Sequence, residues 1–479
     1  MSSWKLTKAL RDQIYRYATV KQTGVSLRQM VQFGSKPSPG SLFHASHFAV
    51  HELPIRLSHR VKDLETLPNG LAKEPAIQTV RNWYAQSFEE LTSLEEPVIK
   101  DLEMADILSG EKQYEETAKR QVSSQGSKRP YFFSDDGIVI DRRSHGSVSG
   151  GGGAAGASGG VSEDENEVHD LNSAHRHVLI PRPRRHYYIP TPKDIVYPSE
   201  VVDYNKLVTK VLTKIKRRHD ATVTTIARGV QSWKRKKNFT YLDNSVNQFL
   251  DRFYLSRIGI RMLIGQTIAL NQQAQGNMYS DDYVGIICLR TNVMEVAQDA
   301  IDAARFACEE HYDIMEAPPV QLYCPEDLEF MYVPGHLVHM LFETLKNSLR
   351  ATIEFHQRLH PNTAIEDIHY PPVKIIVAEG LEDITVKVSD EGGGIPRSTI
   401  PLVWTYFYTS AEQRIEEYEP TYSSGSFKPP FMGLGVGLPH SRLYARYFSG
   451  DLKLISMEGY GTDVYLHLNR LSSSSEPLQ

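Results

Sequence analysis

HLVHMLFETLKNSLRATIEFHQRLH, residues 336–360, has two faces when read at helical spacing. His339, Glu343, Asn347 and Arg350 fall at i, i+4, i+8 and i+11, one above the other. Val338, Leu341, Phe342 and Leu345 make the opposite, core-seeking face. Pro334 and Gly335 ahead of the stretch, and Pro361 and Asn362 after it, read as breakers. A helix with an acid, an amide and a guanidinium along one stripe can hold a metal ion and a phosphate chain together. Alone, such a stripe reads equally well as a solvated face.

Three glycine-rich segments downstream weigh against the solvated reading. The first is SDEGGGIP, 389–396, directly after a strand. Asp390 ends that strand where a carboxylate can accept a bond from an adenine amino group. Gly392 and Gly394 let backbone approach a ligand with no Cβ in the way. The second is GLGVGLP, 433–439, leading into a helix over 441–448. Gly433, Gly435 and Gly437, interleaved with Val436 and Leu438, make a nest of amides at the positive end of that helix, suited to phosphates. It is not a Walker loop, because no Gly-Lys-Ser/Thr follows. The third is Gly461-Thr462-Asp463, where a hydroxyl opens the last strand. Each glycine motif is weak singly, being more often a turn or a cap; their order after the polar helix is far more specific.

The rest of the chain divides in two. At 479 residues it is too long for one core. Its net charge of −5 gives no global field to recruit nucleic acid or membrane. Cys288, Cys308 and Cys324 have no metal-ligand spacing and suggest a reducing compartment. No apolar run approaches the roughly 20 residues that span a bilayer. Through residue 51 the chain carries seven basic residues against Asp12 alone, which suits a basic amphipathic presequence; Leu6, Leu10, Ile14 and Tyr17 equally suit a helix that starts the fold.

Residues 4–110 read as helices over 26–34, 47–64 and 79–94, which implies a helical bundle. Residues 110–190 hold GSVSGGGGAAGASGG (146–160) and a Pro/Arg-rich run, a composition that reads as an insertion looped out of the bundle. Helices resume as one long segment over 203–231, then 246–272 and 293–311. Trp233 beside Lys234–Lys237 reads better as a basic helix end in water than as a nucleic-acid surface. The boundary falls near 312–320, giving a helical domain over residues 1–315, a mixed domain over residues 316–471 and a tail over residues 472–479. In the mixed domain, strands at 374–378 and 384–388 flank one turn, and 452–456 and 463–468 flank another. Helices are expected on one side of a mixed sheet.

The arrangement resembles the ATP-binding domain shared by gyrase, Hsp90, histidine kinases and MutL. Within that superfamily, HMLFETLKNSLRATIE, FLDRFYLSRIGIRML, GLGVGLPHSRLYARYFSGDL and GYGTDVYLHLNRL are similar to the mitochondrial 2-oxoacid dehydrogenase kinases, pyruvate dehydrogenase kinases in particular. The resemblance implies an N-terminal four-helix bundle and a C-terminal α/β sandwich. It implies a protein-serine kinase of the mitochondrial matrix that uses ATP and Mg²⁺, with K⁺ as a further family cofactor. Asn347 would ligate Mg²⁺. Glu343 would be the general base, tuned by His339. Arg350 would neutralise phosphate charge or hold the helix in place, and Asp390 would read adenine with Thr462 beside it. The glycines of 433–437 would wrap the phosphates under a lid at about 409–431. The expected substrate is the alpha subunit of the E1 component of pyruvate dehydrogenase. The lipoyl domain of the E2 core would dock through Met30, Phe33 and Phe48, and the chain would form a homodimer through its C-terminal sheets. The tail LSSSSEPLQ, 471–479, lacks the tryptophan that some members exchange between subunits.

Other readings remain beside this one. A histidine autokinase needs an acceptor histidine, and residues 257–270 contain none. A chaperone or repair ATPase needs a transducer domain after the ATP site. A branched-chain 2-oxoacid dehydrogenase kinase, and a scaffold that binds ATP without turnover, are the remaining alternatives.

Overall fold

The computed structural model describes residues 4–97, 187–192, 195–238, 242–276, 281–408, 435–470 and 476–478, which belong to one compact unit. The glycine-rich stretch 146–160, the lid expected at 409–431 and Gly433 lie outside the described residues.

The helical half is built on α3 (Pro39–Glu65), with α1 (Lys8–Tyr17), α4 (Pro75–Thr92), α5 (Ser199–Arg218) and α7 (Asn244–Ala274) packed on it. α3 starts eight residues earlier than its periodicity suggests. Ser38 caps it, its side chain accepting from the Ser41 amide, and Pro39 occupies the first turn, where a missing N–H costs nothing. Leu10, Ile14 and Tyr17 of α1 are buried, so this basic helix belongs to the packed fold. The short α2 (Leu27–Val31) is fixed by a capping box between Ser26 and Gln29.

The single helix expected over 203–231 is two. α5 ends at Arg218, and α6 (Thr222–Lys236) begins after His219, Asp220 and Ala221. No glycine or proline marks the break. Instead His219 turns inward, stacks on Tyr84 at 4.4 Å, and sets Nε2 3.0 Å from the Ser87 hydroxyl. A buried polar contact made 132 residues away decides the helix boundary, and no local pattern carries that information. Trp233 is buried and donates its indole N–H to the Asn69 carbonyl at 3.1 Å, so it offers no stacking surface.

The mixed half holds β1 (Tyr283–Val284), β2 (Ile287–Asn292) and β4 (Glu329–Tyr332) in one small antiparallel sheet. A second sheet orders β3 (Val320–Tyr323), β5 (Val373–Glu379), β6 (Asp383–Asp390), β8 (Gly461–Asn469) and β7 (Asp451–Met457), with the β3–β5 pair parallel and the others antiparallel. In β6 and β8, Ile384, Val386, Val388, Val464, Leu466 and Leu468 are buried, while the residues between them are more exposed. That alternation is the signature of a sheet with one covered face. The covering layer is α9 (Pro334–Leu359), with α8 (Val293–Tyr312) packed along it, and α10 (Gly437–Tyr447) on β7 and β8. Elements on both sides of position 315 therefore pack together, and α10 also reaches back to α7.

Two details of the opening stretch change. Pro334 and Gly335 lie inside α9 as its first turn, where proline's fixed φ suits a helix start. The buried face is Leu337, Met340, Leu341, Leu345, Leu349 and Ile353; Val338 and Phe342 are only half-buried.

Candidate active site

α9 forms one wall of a cleft of about 500 Å³. Its floor comes from the ends of β6 and β8, and its far wall from the start of α10. Glu343, Asn347, Arg350, Asp390, Gly392, Gly394, Gly435, Gly437, Leu438 and Thr462 all line it. His339 and Val436 do not. His339 sits deeper, its ring 4.9 Å from Tyr444. Val436 holds the N-cap position of α10 and turns its side chain to the core.

One end of the cleft is acidic and floored by amides. Glu343 is buried, and its Oε2 lies 2.8 Å from Lys346 Nζ. Lys346 is itself buried, with its ammonium over the Phe342 ring at 5.3 Å. A side chain at position 437 would collide with the Glu343 carboxylate, so only glycine leaves that acid where it stands. That close approach sets the acid beside the first turn of α10, whose leading N–H groups have no partner within the helix. Asn347 is exposed toward the cleft, and Arg350 pairs with Glu354 at 3.3 Å. Glu354 lines the cleft as well, so Glu343 is not the only carboxylate there. Burial holds the His339 imidazole below the usual histidine range, with Glu343 opposing and Lys346 adding to the shift.

The other end is built around Asp390, which is 5% exposed. Its Oδ2 accepts from the Ser348 hydroxyl at 2.8 Å, and its Oδ1 accepts from the amides of Gly392 at 3.0 Å and Thr462 at 3.3 Å. The β6–β8 register places Thr462 directly opposite Asp390. Burial pushes the Asp390 carboxyl up to about 6, against the three hydrogen bonds that pull it down. A carboxylate oriented by three donors and walled by Leu454, Val464 and Ile395 presents one directional acceptor in an apolar slot. That suits a flat base with an exocyclic amino group.

The glycines are needed for a reason other than ligand approach. A Cβ on Gly392 would press on Ala351 of α9, and one on Gly394 (φ 68°) would strike the Met457 carbonyl. Gly435 (φ 71°) lies against the Tyr408 carbonyl, and its own carbonyl accepts from the Phe407 amide at 2.8 Å. Protein contacts, in addition to any ligand, fix these positions. Sequence reasoning missed Lys346 and Ser348. Lys346 stands one turn from Glu343 and one residue before Asn347, and a lysine there was a legible signal. Ser348 reads as a core position until β6 is laid beside it.

Of Met30, Phe33 and Phe48, the two phenylalanines meet on one ring. Phe33 and Phe48 both pack edge-on against Tyr187, at 5.3 and 5.2 Å, and Phe33 meets Tyr188 at 4.9 Å. All three residues are buried.

A mixed sheet covered by helices, an acid and an amide on one helix, an aspartate at a strand end and a glycine-bounded helix start together define an ATP-binding domain of the histidine-kinase type. Residues 332–472 match the family described as histidine kinase-, DNA gyrase B- and HSP90-like ATPase. Residues 24–288 match the family described as mitochondrial branched-chain alpha-ketoacid dehydrogenase kinase. Over 474 residues the chain is 40% identical to the [pyruvate dehydrogenase (acetyl-transferring)] kinase of Schizosaccharomyces pombe, covering 99% of each chain. It is 36% identical to the Arabidopsis thaliana protein of that name, covering 98% of this chain and 97% of the other. It is 30% identical to human isozyme 3, covering 98% and 89%. The chain belongs to the mitochondrial pyruvate dehydrogenase kinase family.

Proposed function

We propose that this chain is a mitochondrial protein-serine kinase that transfers the γ-phosphoryl group of ATP to the E1 alpha subunit of the pyruvate dehydrogenase complex and so inactivates it. The observation that carries this reading is one cleft with a base-reading end at Asp390 and an acid-and-amide end at Glu343 and Gly437. An ATP-binding domain alone would serve a scaffold equally; the buried Glu343–Lys346 pair at the phosphate end supports turnover.

In this reading Asp390 accepts from the adenine amino group, and Thr462 lies beside it. The first amides of α10 take phosphate oxygens. Asn347 fits a hard divalent ion: its amide is exposed to the cleft one turn from Glu343. Mg²⁺, when bound there, supplies charge neutralisation on the phosphates. Arg350 adds positive charge on the same wall. Glu343 takes the proton of the serine hydroxyl as its oxygen bonds to the γ-phosphorus and the bond to the β,γ-bridging oxygen breaks, with ADP leaving. Lys346 pins one carboxylate oxygen and leaves the other free to act. His339, uncharged through burial, packs behind this acid as a positioning residue. Catalysis is then mainly positioning and charge neutralisation.

The helical domain, through about residue 315, takes the docking role, and residues 316–471 take the chemistry. A lipoyl domain of the E2 core docks at Met30, Phe33 and Phe48, which requires Tyr187 and Tyr188 to yield. A homodimer forms through the uncovered sheet face, where Tyr323, Ile376, Ile455 and Met457 are exposed. The working compartment is the mitochondrial matrix. No described helix is long and apolar enough to cross a membrane.

Incubating the protein with labelled ATP and each purified 2-oxoacid dehydrogenase complex tests the reading. Label on a serine of the pyruvate dehydrogenase E1 alpha subunit supports it. Label only on the branched-chain complex moves the substrate, and label on neither overturns it.

A further inference from the structure

Two histidines and a glutamate far from the nucleotide cleft converge on one point. His47 and His51 stand one turn apart on α3, and Glu96 lies just beyond the end of α4. His47 Nε2 and His51 Nε2 each lie 2.9 Å from Glu96 Oε1, and the two nitrogens lie 3.0 Å from each other. The three donor atoms thus form a nearly equilateral triangle.

With Glu96 ionised, protons do not satisfy that triangle. If both imidazoles carry their proton on Nε2 and donate to the shared oxygen, the two hydrogens fall within about 2 Å of each other, inside van der Waals contact. If only one carries it, the bare nitrogen of the other faces the carboxylate lone pairs. A cation above the triangle takes all three lone pairs at once. Cis ligands of an octahedral ion are separated by √2 times the bond length, so bonds of about 2.1 Å give edges of about 3.0 Å. The observed edges match that face.

We infer that His47, His51 and Glu96 form a facial site for a divalent first-row transition metal, zinc being the probe of choice. Two imidazoles with one carboxylate suit such an ion better than Mg²⁺ or Ca²⁺, which prefer oxygen alone. His47 is buried, His51 is 20% exposed and Glu96 is 56% exposed, so water reaches the open coordination positions. The Tyr204 hydroxyl, buried and without a hydrogen-bond partner among the described residues, lies near enough to Glu96 to feel its charge and can bond to such a water. The ring of Tyr204 meets Phe43 at 5.5 Å, and Phe43 packs on His47 at 6.0 Å. The ion would clamp the end of α4 onto the middle of α3.

The test uses the full chain, stripped with chelator and desalted, titrated with zinc chloride by calorimetry beside His51→Gln and Glu96→Gln. Both variants sit at partly exposed positions outside the nucleotide cleft and should keep wild-type phosphotransfer. The wild type should take up one equivalent more than either variant, gain thermal stability with zinc where they do not, and give a zinc X-ray absorption edge with nitrogen and oxygen neighbours only. Equal uptake by all three proteins, or sulfur in the zinc shell from the free cysteines, would overturn the site.

Discussion

Glu343 and Gly437 occupy mutually exclusive space: the carboxylate of the one stands where any side chain of the other would be. This packing joins the polar stripe of α9 to the start of α10 and brings an acid to a phosphate-binding helix end. Gly437→Ala should therefore displace the acid while leaving the fold intact. We expect kcat to fall roughly 10²-fold or more, because misplacement by about 1 Å costs that much, with circular dichroism unchanged. Wild-type kcat in the alanine variant would contradict the close packing.

Glu343→Gln keeps the shape of the site and removes the base. Phosphotransfer should drop by roughly 10²–10⁴-fold, while ATP affinity by calorimetry holds. Lys346→Ala should lower activity as well, since it frees the acid to swing. Normal turnover in the glutamine variant would remove Glu343 from the mechanism.

Asp390 gives a pH signature. In the fold its carboxyl titrates at about 6, whereas an aspartate in the unfolded chain titrates near ~3.9. Because the fold disfavours the charged form, ionisation destabilises the protein by ~3 kcal/mol, in full above about pH 6 and not at all below about pH 4. Asp390→Asn carries no charge, so its melting temperature should exceed the wild type most at about pH 7–8, and the gain should vanish toward about pH 4. ATP affinity should move the other way and fall at least about tenfold, the worth of one lost directional hydrogen bond. A variant that melts below the wild type at pH 8 would show that burial does not dominate at this carboxyl.

Near the C-terminus stands another buried acid. Glu476 takes hydrogen bonds from Arg56 of α3, from the Val25 amide at 3.0 Å and from Tyr447 of α10 at 2.5 Å. Arg56 also meets Glu52 at 2.9 Å, and the three charged groups are almost fully buried. Glu476→Gln leaves Arg56 short of one counter-charge and should cost about 3 kcal/mol, seen as a lower melting temperature. A change within about 0.5 kcal/mol, typical of a surface site, would show that this tail contact is not held in solution.

Much of this was legible in the chain. The stripe of α9 and the alternation of β6 and β8 follow from periods of 3.6 and 2, while Asp390 beside Thr462 was implied by the family resemblance and is met in the β6–β8 register. What periodicity does not carry is contact between distant segments. The break at His219, the hydroxyl of Ser348 under Asp390 and the burial of Glu476 each depend on a partner dozens to hundreds of residues away. The early start of α3 was local and readable from Ser38 and Pro39, but its apolar pattern is diluted by buried histidines and serines.

The central claim is where the nucleotide sits. A crystal structure of the protein soaked with a non-hydrolysable ATP analogue and Mg²⁺ tests it most directly. The account predicts the adenine amino group on Asp390, the metal beside Asn347 and the phosphates against the first turn of α10. A triphosphate bound elsewhere, or an empty cleft at saturating analogue, would contradict it.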